Sequence, residues 1–226
     1  MLSTKDVKIG GDVPKTLQPG NAKAKIYSVE LTTVPYKEGA YHLVMHLEGP
    51  DMGGDFKGFM IEKDNEALGS YQGQIGRVKA DKWPFSDGKT KGGTVIHRDV
   101  SIVRFIKNLC AQGGWMEWCD AQDNKHETIE AFVKALNDEK PFKDKFLNWC
   151  LAAVEYQGKG GYTKHDLYLP RFSGTKVPLE TPEAKPSQLI KYVESQHLER
   201  KESKAVPSFE PGDTTPPVDS DDDFKL

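Results

Sequence analysis

The chain has 226 residues and a formal net charge of −3, enough for one sizeable domain or one domain with appendages. Its start, Met1 to Lys8, lacks the apolar core of a secretory signal, and its longest apolar run, Trp149 to Val154, is too short to span a bilayer. Cys110, Cys119 and Cys150 show no disulfide-framework spacing and fit a reducing cytosol, so the expectation is a soluble cytoplasmic protein without a membrane partner.

Residues 1–23 are polar and broken by Gly10, Gly11, Pro14, Pro19 and Gly20, which reads as a flexible arm. From Ala24 to Thr33 the residues alternate with the period of a half-buried strand, and Pro35 to Gly39 makes a turn. Tyr41 to Glu48 is a second strand, with Tyr41, Leu43, Met45 and Leu47 on one face and His42, Val44, His46 and Glu48 on the other. A glycine-rich loop leads to a third strand, Phe56 to Glu62, and a fourth, Tyr71 to Ala80, is interrupted at Gly73 and Gly76, where bulging is expected.

The pattern then becomes helical. Asp99 is placed to cap a helix running to about Ala111, with Ile102, Phe105, Ile106 and Leu109 as its stripe and Gly113-Gly114 as its stop. A second helix is expected from Asn124 to Leu136, with Asn124 and Glu127 in cap spacing, and a further helical turn is expected within Pro141 to Asn148. Strand character returns at Trp149 to Tyr156, and the turn Gln157 to Gly161 leads into Tyr162 to Leu169 as a hairpin.

The fold class expected is mainly β with a helical insertion (α+β): an oligonucleotide-binding (OB)-like small antiparallel barrel over residues 24–172, with the insertion at about 97–148. An SH3-like barrel or a small sandwich with helices gives a similar string of elements. Residues 173–204 read as a linker with a short helix around Ser187 to Lys201. Residues 205–226 hold six acids against Lys225 alone among several prolines, the composition of a disordered acidic tail. Without that tail the body is slightly basic.

The stretch Tyr71 to Lys107 carries eight Lys and Arg against Asp81, Asp87 and Asp99. Single-strand binding needs cations to track phosphates and flat rings to accept unstacked bases. The candidates there are Tyr71, Arg77, Lys79, Lys82, Trp83 and Phe85, the last two leading into the loop Ser86 to Gly93. The alternative is that Trp83 and Phe85 plug the barrel end and the lysines are merely solvated. The hairpin repeats the mixture with Lys159, Tyr162, Lys164 and Tyr168, of which Tyr162, Lys164 and Tyr168 share one face with Asp166.

Catalytic and metal chemistry find less support. Gly88-Lys89-Thr90 resembles the end of a phosphate-binding loop, but Trp83 stands where the first glycine belongs. His97, Cys110, Cys119, His126 and Cys150 lack paired zinc-ligand spacing, and Asp51, Asp55, Glu62, Lys63 and Asp64 lack a recognisable nuclease spacing. The expectation is a non-enzyme with no cofactor and no metal.

The tail ends Asp219-Ser220-Asp221-Asp222-Asp223-Phe224-Lys225-Leu226, a set of acids with one aromatic anchor. Together with the basic, ring-bearing, strand-rich body, this resembles the single-stranded DNA-binding proteins of bacteria and bacteriophages, the phage-encoded type above all. The resemblance implies an OB-fold body that protects single-stranded DNA in replication, recombination and repair, in the cytoplasm of a bacterial host. It also implies that Asp219, Asp221, Asp222, Asp223 and Phe224 dock replication or recombination partners and cover the DNA cleft until DNA displaces them. The bacterial pattern ends on its aromatic, whereas Lys225 and Leu226 follow Phe224 here. The competing classes are a metal-dependent nucleic-acid-processing enzyme and a non-catalytic structural or adaptor protein. Oligomeric state is not legible.

Overall fold

The structure is a computed structural model that describes residues 15–52, 60–63, 66–70, 73–158, 162–184 and 186–201. In chain order its elements are β1 (Gly20–Thr33), β2 (Tyr41–Asp51), β3 (Met60–Lys63), β4 (Glu66–Ser70), β5 (Gly73–Lys79), β6 (Gly88–Lys89) and β7 (Val95–Ile96). The helices α1 (Arg98–Gly113), α2 (Met116–Ala121) and α3 (Ile129–Glu139) follow. The chain then forms β8 (Phe146–Gln157), β9 (Thr163–Tyr168), β10 (Leu179–Glu180), the single turn α4 (Glu194–His197) and β11 (Leu198–Arg200).

Five of these strands close on themselves in the order β1-β2-β5-β9-β8-β1, an OB-like barrel. A ring with an odd number of strands cannot alternate direction all the way round, so one junction must be parallel. Here it is β5 with β9, pairing Val78 with Leu167 and Lys79 with Tyr168, while the other four junctions are antiparallel. Parallel neighbours need a long crossover, and the helices supply it between β5 and the β8–β9 hairpin.

Alternation fills the interior. Leu43, Met45 and Leu47 of β2 point inward with Ile26 and Val29 of β1, Val78 of β5, Trp149 and Leu151 of β8 and Leu167 of β9. Trp149 is fully buried, and its indole N–H donates to the carbonyl of Ala24 at 2.9 Å, so the largest core side chain leaves no orphaned donor. β1 serves two neighbours in turn, β8 through residues 20–25 and β2 from Lys25 onward. Where β1 has left β8, Asn137 of α3 takes over the vacant edge. Its side-chain oxygen accepts from the Val29 amide at 2.8 Å, and its amide donates to the Val29 carbonyl at 2.5 Å.

The helices close one end. Ile102, Phe105, Ile106 and Leu109 of α1 are buried as their spacing predicts. Gly114 adopts a left-handed φ of 75° and returns its N–H to Cys110, ending α1 where the glycine pair was expected. The starts differ from expectation. His97, not Asp99, occupies the cap position of α1, and Asp99 lies in the first turn, bonded to the Arg98 guanidinium at 2.6 Å. α3 is capped by Thr128, whose hydroxyl accepts from the Ala131 amide, while Asn124 sits in a left-handed turn at φ 55°. Residues 141–144 form turns, and β8 already begins at Phe146.

Regular structure also extends further at both ends than expected. β1 starts at Gly20, and Leu17 is buried against Gly76, where an added Cβ would meet Leu17 side-chain atoms at 3.0 and 3.1 Å. The irregularity expected near Gly73 and Gly76 falls on the facing strand, between Glu48 and Asp51. Residues 173–184 and 186–201 form a strap and not a free linker. β10 pairs with β8 on the edge used by β9, and β11 pairs with β8 on the edge used by β1. Buried Glu180 anchors the strap by accepting from the Ser187 hydroxyl and from the amides of Gln188 and Leu189 at 2.9 and 3.1 Å. The expected helix at Ser187 to Lys201 shrinks to the one turn of α4. Among the described residues no helix is long and apolar enough to cross a membrane.

Candidate nucleic-acid interface

Because inward residues alternate with outward ones, the β1-β2-β5-β9 surface presents a defined outer row: Glu30 and Thr32, then His42 and His46, then Arg77 and Lys79, then Lys164, Asp166 and Tyr168. Two hollows open on this surface. One, of about 630 Å³, is lined by Tyr27, Glu30, His46, Ile75, Arg77 and Lys140 among others. The second, of about 350 Å³, is lined by Thr32, Tyr36, His42, Val44, Lys79 and Asp166. Arg77 borders both.

The expected residues therefore converge in part. Arg77, Lys79 and Tyr168 share the outer face around the β5–β9 junction, Lys164 lies further along β9 opposite Tyr156 of β8, and Lys82 and Trp83 follow where β5 ends. Trp83 is 62% exposed, and the Lys82 ammonium lies 5.3 Å from its ring centroid. The Trp83 amide donates to Asp81 at 2.9 Å, which fixes the backbone that carries the ring. Tyr162 is 74% exposed at the β8–β9 turn. Tyr71, Lys159 and the tail residues Asp219, Asp221, Asp222, Asp223 and Phe224 lie outside the described residues.

Of the two readings given for Phe85, its packing favours the plug at the barrel end. Its ring meets Phe105 at 6.5 Å, Phe105 meets Phe172 at 6.2 Å, and its backbone exchanges hydrogen bonds with Tyr41. It seals the barrel end. The loop after it is also more regular than expected, since Gly88–Lys89 and Val95–Ile96 pair as a small hairpin.

The basic stretch divides into three places. Arg77, Lys79 and Lys82 stay with the strand face, Lys89 and Lys91 ride the hairpin, and Arg98, Arg104 and Lys107 belong to α1. Arg98 is structural: its guanidinium lies 4.4 Å from the Tyr41 ring centroid and donates to the Gly39 carbonyl at 2.8 Å.

Three of the cations on or beside the strand face also hold a carboxylate. Arg77 bonds Glu30 at 2.5 Å, Lys79 bonds Asp166 at 2.5 Å, and Lys82 bonds Glu199 of the strap. Arg171 bonds Asp81 at 2.7 Å. The hydrogen bond that Lys82 donates to Glu199 raises the Lys82 pKa. Burial acts to raise the Glu30 pKa, but Arg77 and His46 outweigh it and hold the carboxyl below its ordinary value. Burial, aided by the Lys79 charge, lowers the His42 pKa, and burial raises that of Tyr168.

Sequence reasoning passed over Tyr36, His42 and His46 as site residues. Tyr36 is 79% exposed on the turn that joins β1 to β2, and Lys37 of that turn donates to Ser86 at 2.7 Å, tying it to the Trp83 loop. Its signal was available as an aromatic inside a Pro-Gly turn. The histidines were legible as the polar side of β2, but their cationic neighbours come from a strand far along the chain.

Among the described residues no group of three or more His, Cys, Asp or Glu side chains gathers as a metal site. Cys110 and Cys150 are buried, and burial raises the Cys150 pKa to about 11, which suits packing better than nucleophilic or ligand chemistry. Comparison with protein families, curated proteins and solved structures finds no match to this chain.

Proposed function

We propose that this protein binds single-stranded DNA on the outer face of β1, β2, β5 and β9, without catalysis, in the service of replication, recombination or repair. The observation that carries the reading is the row of Arg77, Lys79 and Tyr168 on the outer face of an OB-like barrel, continued past the end of β5 by Lys82 and the exposed Trp83 ring. In barrels of this type the face of the second and third strands, here β2 and β5, takes oligonucleotides together with the loops after the first and fourth strands. The cations meet phosphates, and Trp83, Tyr36 and Tyr162 offer rings to unstacked bases. The acidic stretch Asp219 to Phe224 recruits partner proteins, a role supported by its composition and by the resemblance of the tail.

Titration of intrinsic tryptophan fluorescence with oligo(dT) across a salt series tests the reading. Quenching at low salt, with affinity that falls as salt rises, supports it. One observation favours a second reading: acids already neutralise Arg77, Lys79 and Lys82, as expected of a structural or adaptor protein whose basic patch serves only its own fold. No quenching and no electrophoretic shift at micromolar protein and low salt would select that reading.

A further inference from the structure

We infer that Glu30, Asp166 and Glu199 act as built-in competitors for the DNA phosphates, so that a strand binds by exchanging places with them. The inference rests on the single-strand reading above. Three cations of the face, one on β5 at each of Arg77 and Lys79 and one just beyond it at Lys82, are held by carboxylates from three different elements: β1, β9 and β11. Sequence neighbours did not create these pairs; the fold brought each acid to its cation.

All six side chains keep solvent access, between 27% and 62% exposed. Surface pairs of this kind contribute little net free energy because water and salt screen them. They are therefore exchangeable: a phosphate oxygen replaces the carboxylate on the guanidinium or ammonium, and the carboxylate turns to water.

The exchange has a thermodynamic signature. Each phosphate contact on a single strand releases condensed cations, giving a slope of about −0.7 in log affinity against log salt. Each freed carboxylate attracts a cation back, which offsets part of that release. The wild-type face thus binds more weakly, and with a shallower salt slope, than its number of cations implies.

The test compares the full chain with the isosteric variant Glu30→Gln/Asp166→Asn/Glu199→Gln, using oligo(dT) binding from low to high salt. Thermal melting checks that the variant is folded, and the single Glu199→Gln, on the exposed strap, gives a second variant that leaves the barrel strands untouched. The expected result is at least a tenfold gain in affinity at low salt for the triple variant, a smaller gain for Glu199→Gln, and steeper slopes for both. Binding by the triple variant alone would also support the inference. Equal or weaker binding by both variants, with an unchanged slope, overturns it while leaving the single-strand reading intact. If neither wild type nor variants bind, the reading and the inference fall together.

Discussion

Lys79 of β5 and Asp166 of β9 join at 2.5 Å across the one parallel junction of the barrel. The position of this pair follows from closure. Register sets Lys79 opposite Tyr168, so the residue two places earlier on β9 and on the same face, Asp166, lies within reach of the ammonium. The same junction brings Tyr168 beside Lys79, although the two strands lie far apart in the chain. A barrel with five strands needs such a junction, and the candidate face is built on it.

Trp83 should supply most of the fluorescence response to a bound strand. Trp115 and Trp149 are buried, and Trp118 stacks on Phe132 with ring centroids 5.8 Å apart, so Trp83 is the indole most open to a base. Trp83→Ala should weaken oligo(dT) binding by about 1–3 kcal/mol, the usual worth of one base–aromatic stack, and remove most of the quenching. Trp83→Phe should restore affinity but not the signal. An unchanged quench in Trp83→Ala would assign the response to another indole.

His42 makes the molecule sensitive to mild acid. It faces Lys79 of β5, Asp166 of β9 and Asp81 just beyond β5, and burial with the Lys79 charge lowers its pKa below the ordinary 6.5. The unfolded chain then binds a proton more readily than the folded one between the folded pKa and 6.5. Stability is full above that window and falls as pH drops through it. His42→Gln should flatten this part of the pH profile of chemical denaturation. Phosphates on the face favour the imidazolium, so oligonucleotide binding should take up protons there and tighten as pH falls through the same range. Binding measured in two buffers of different ionisation enthalpy reads that uptake directly.

The elements whose signal is local were legible in the sequence. The inward row of β2, the stripe of α1 and the Gly113-Gly114 stop all appear as read, because period and backbone conformation depend on neighbours along the chain. The exposed side of β9 was legible for the same reason, whereas the ion pairs on it were not, since Glu30, Asp166 and Glu199 reach their partners only through the topology. Phe85 could be read two ways, as a stacking ring or as a plug of the barrel end, because an aromatic in a loop reads the same whether it faces solvent or a helix. The strap left a trace in a stretch that was read as a strand too short to span a membrane, but not as one covered on both faces. In Trp149 to Val154 six successive residues are buried, the mark of a strand covered on both faces. The barrel interior covers one face, and the segment taken for a linker runs along the other, with Tyr192 near Cys150.

Glu180 offers the sharpest check on that strap. A buried carboxylate that accepts one hydroxyl and two backbone amides is surrounded by donors, so an amide nitrogen in its place faces N–H groups it cannot satisfy. Glu180→Gln should therefore cost about 2–3 kcal/mol, with Ser187→Ala costing less because it removes one neutral donor and leaves the amides in place. For a chain of this size that corresponds to a fall in Tm of roughly 4–12 °C. The strap also carries Glu199 to Lys82, so loosening it at Glu180 should expose Lys191 and Lys201 to trypsin before the barrel melts. A free linker would behave in the opposite way: wild type would be cut rapidly at Lys191, and Glu180→Gln would leave both Tm and the digestion pattern as they were.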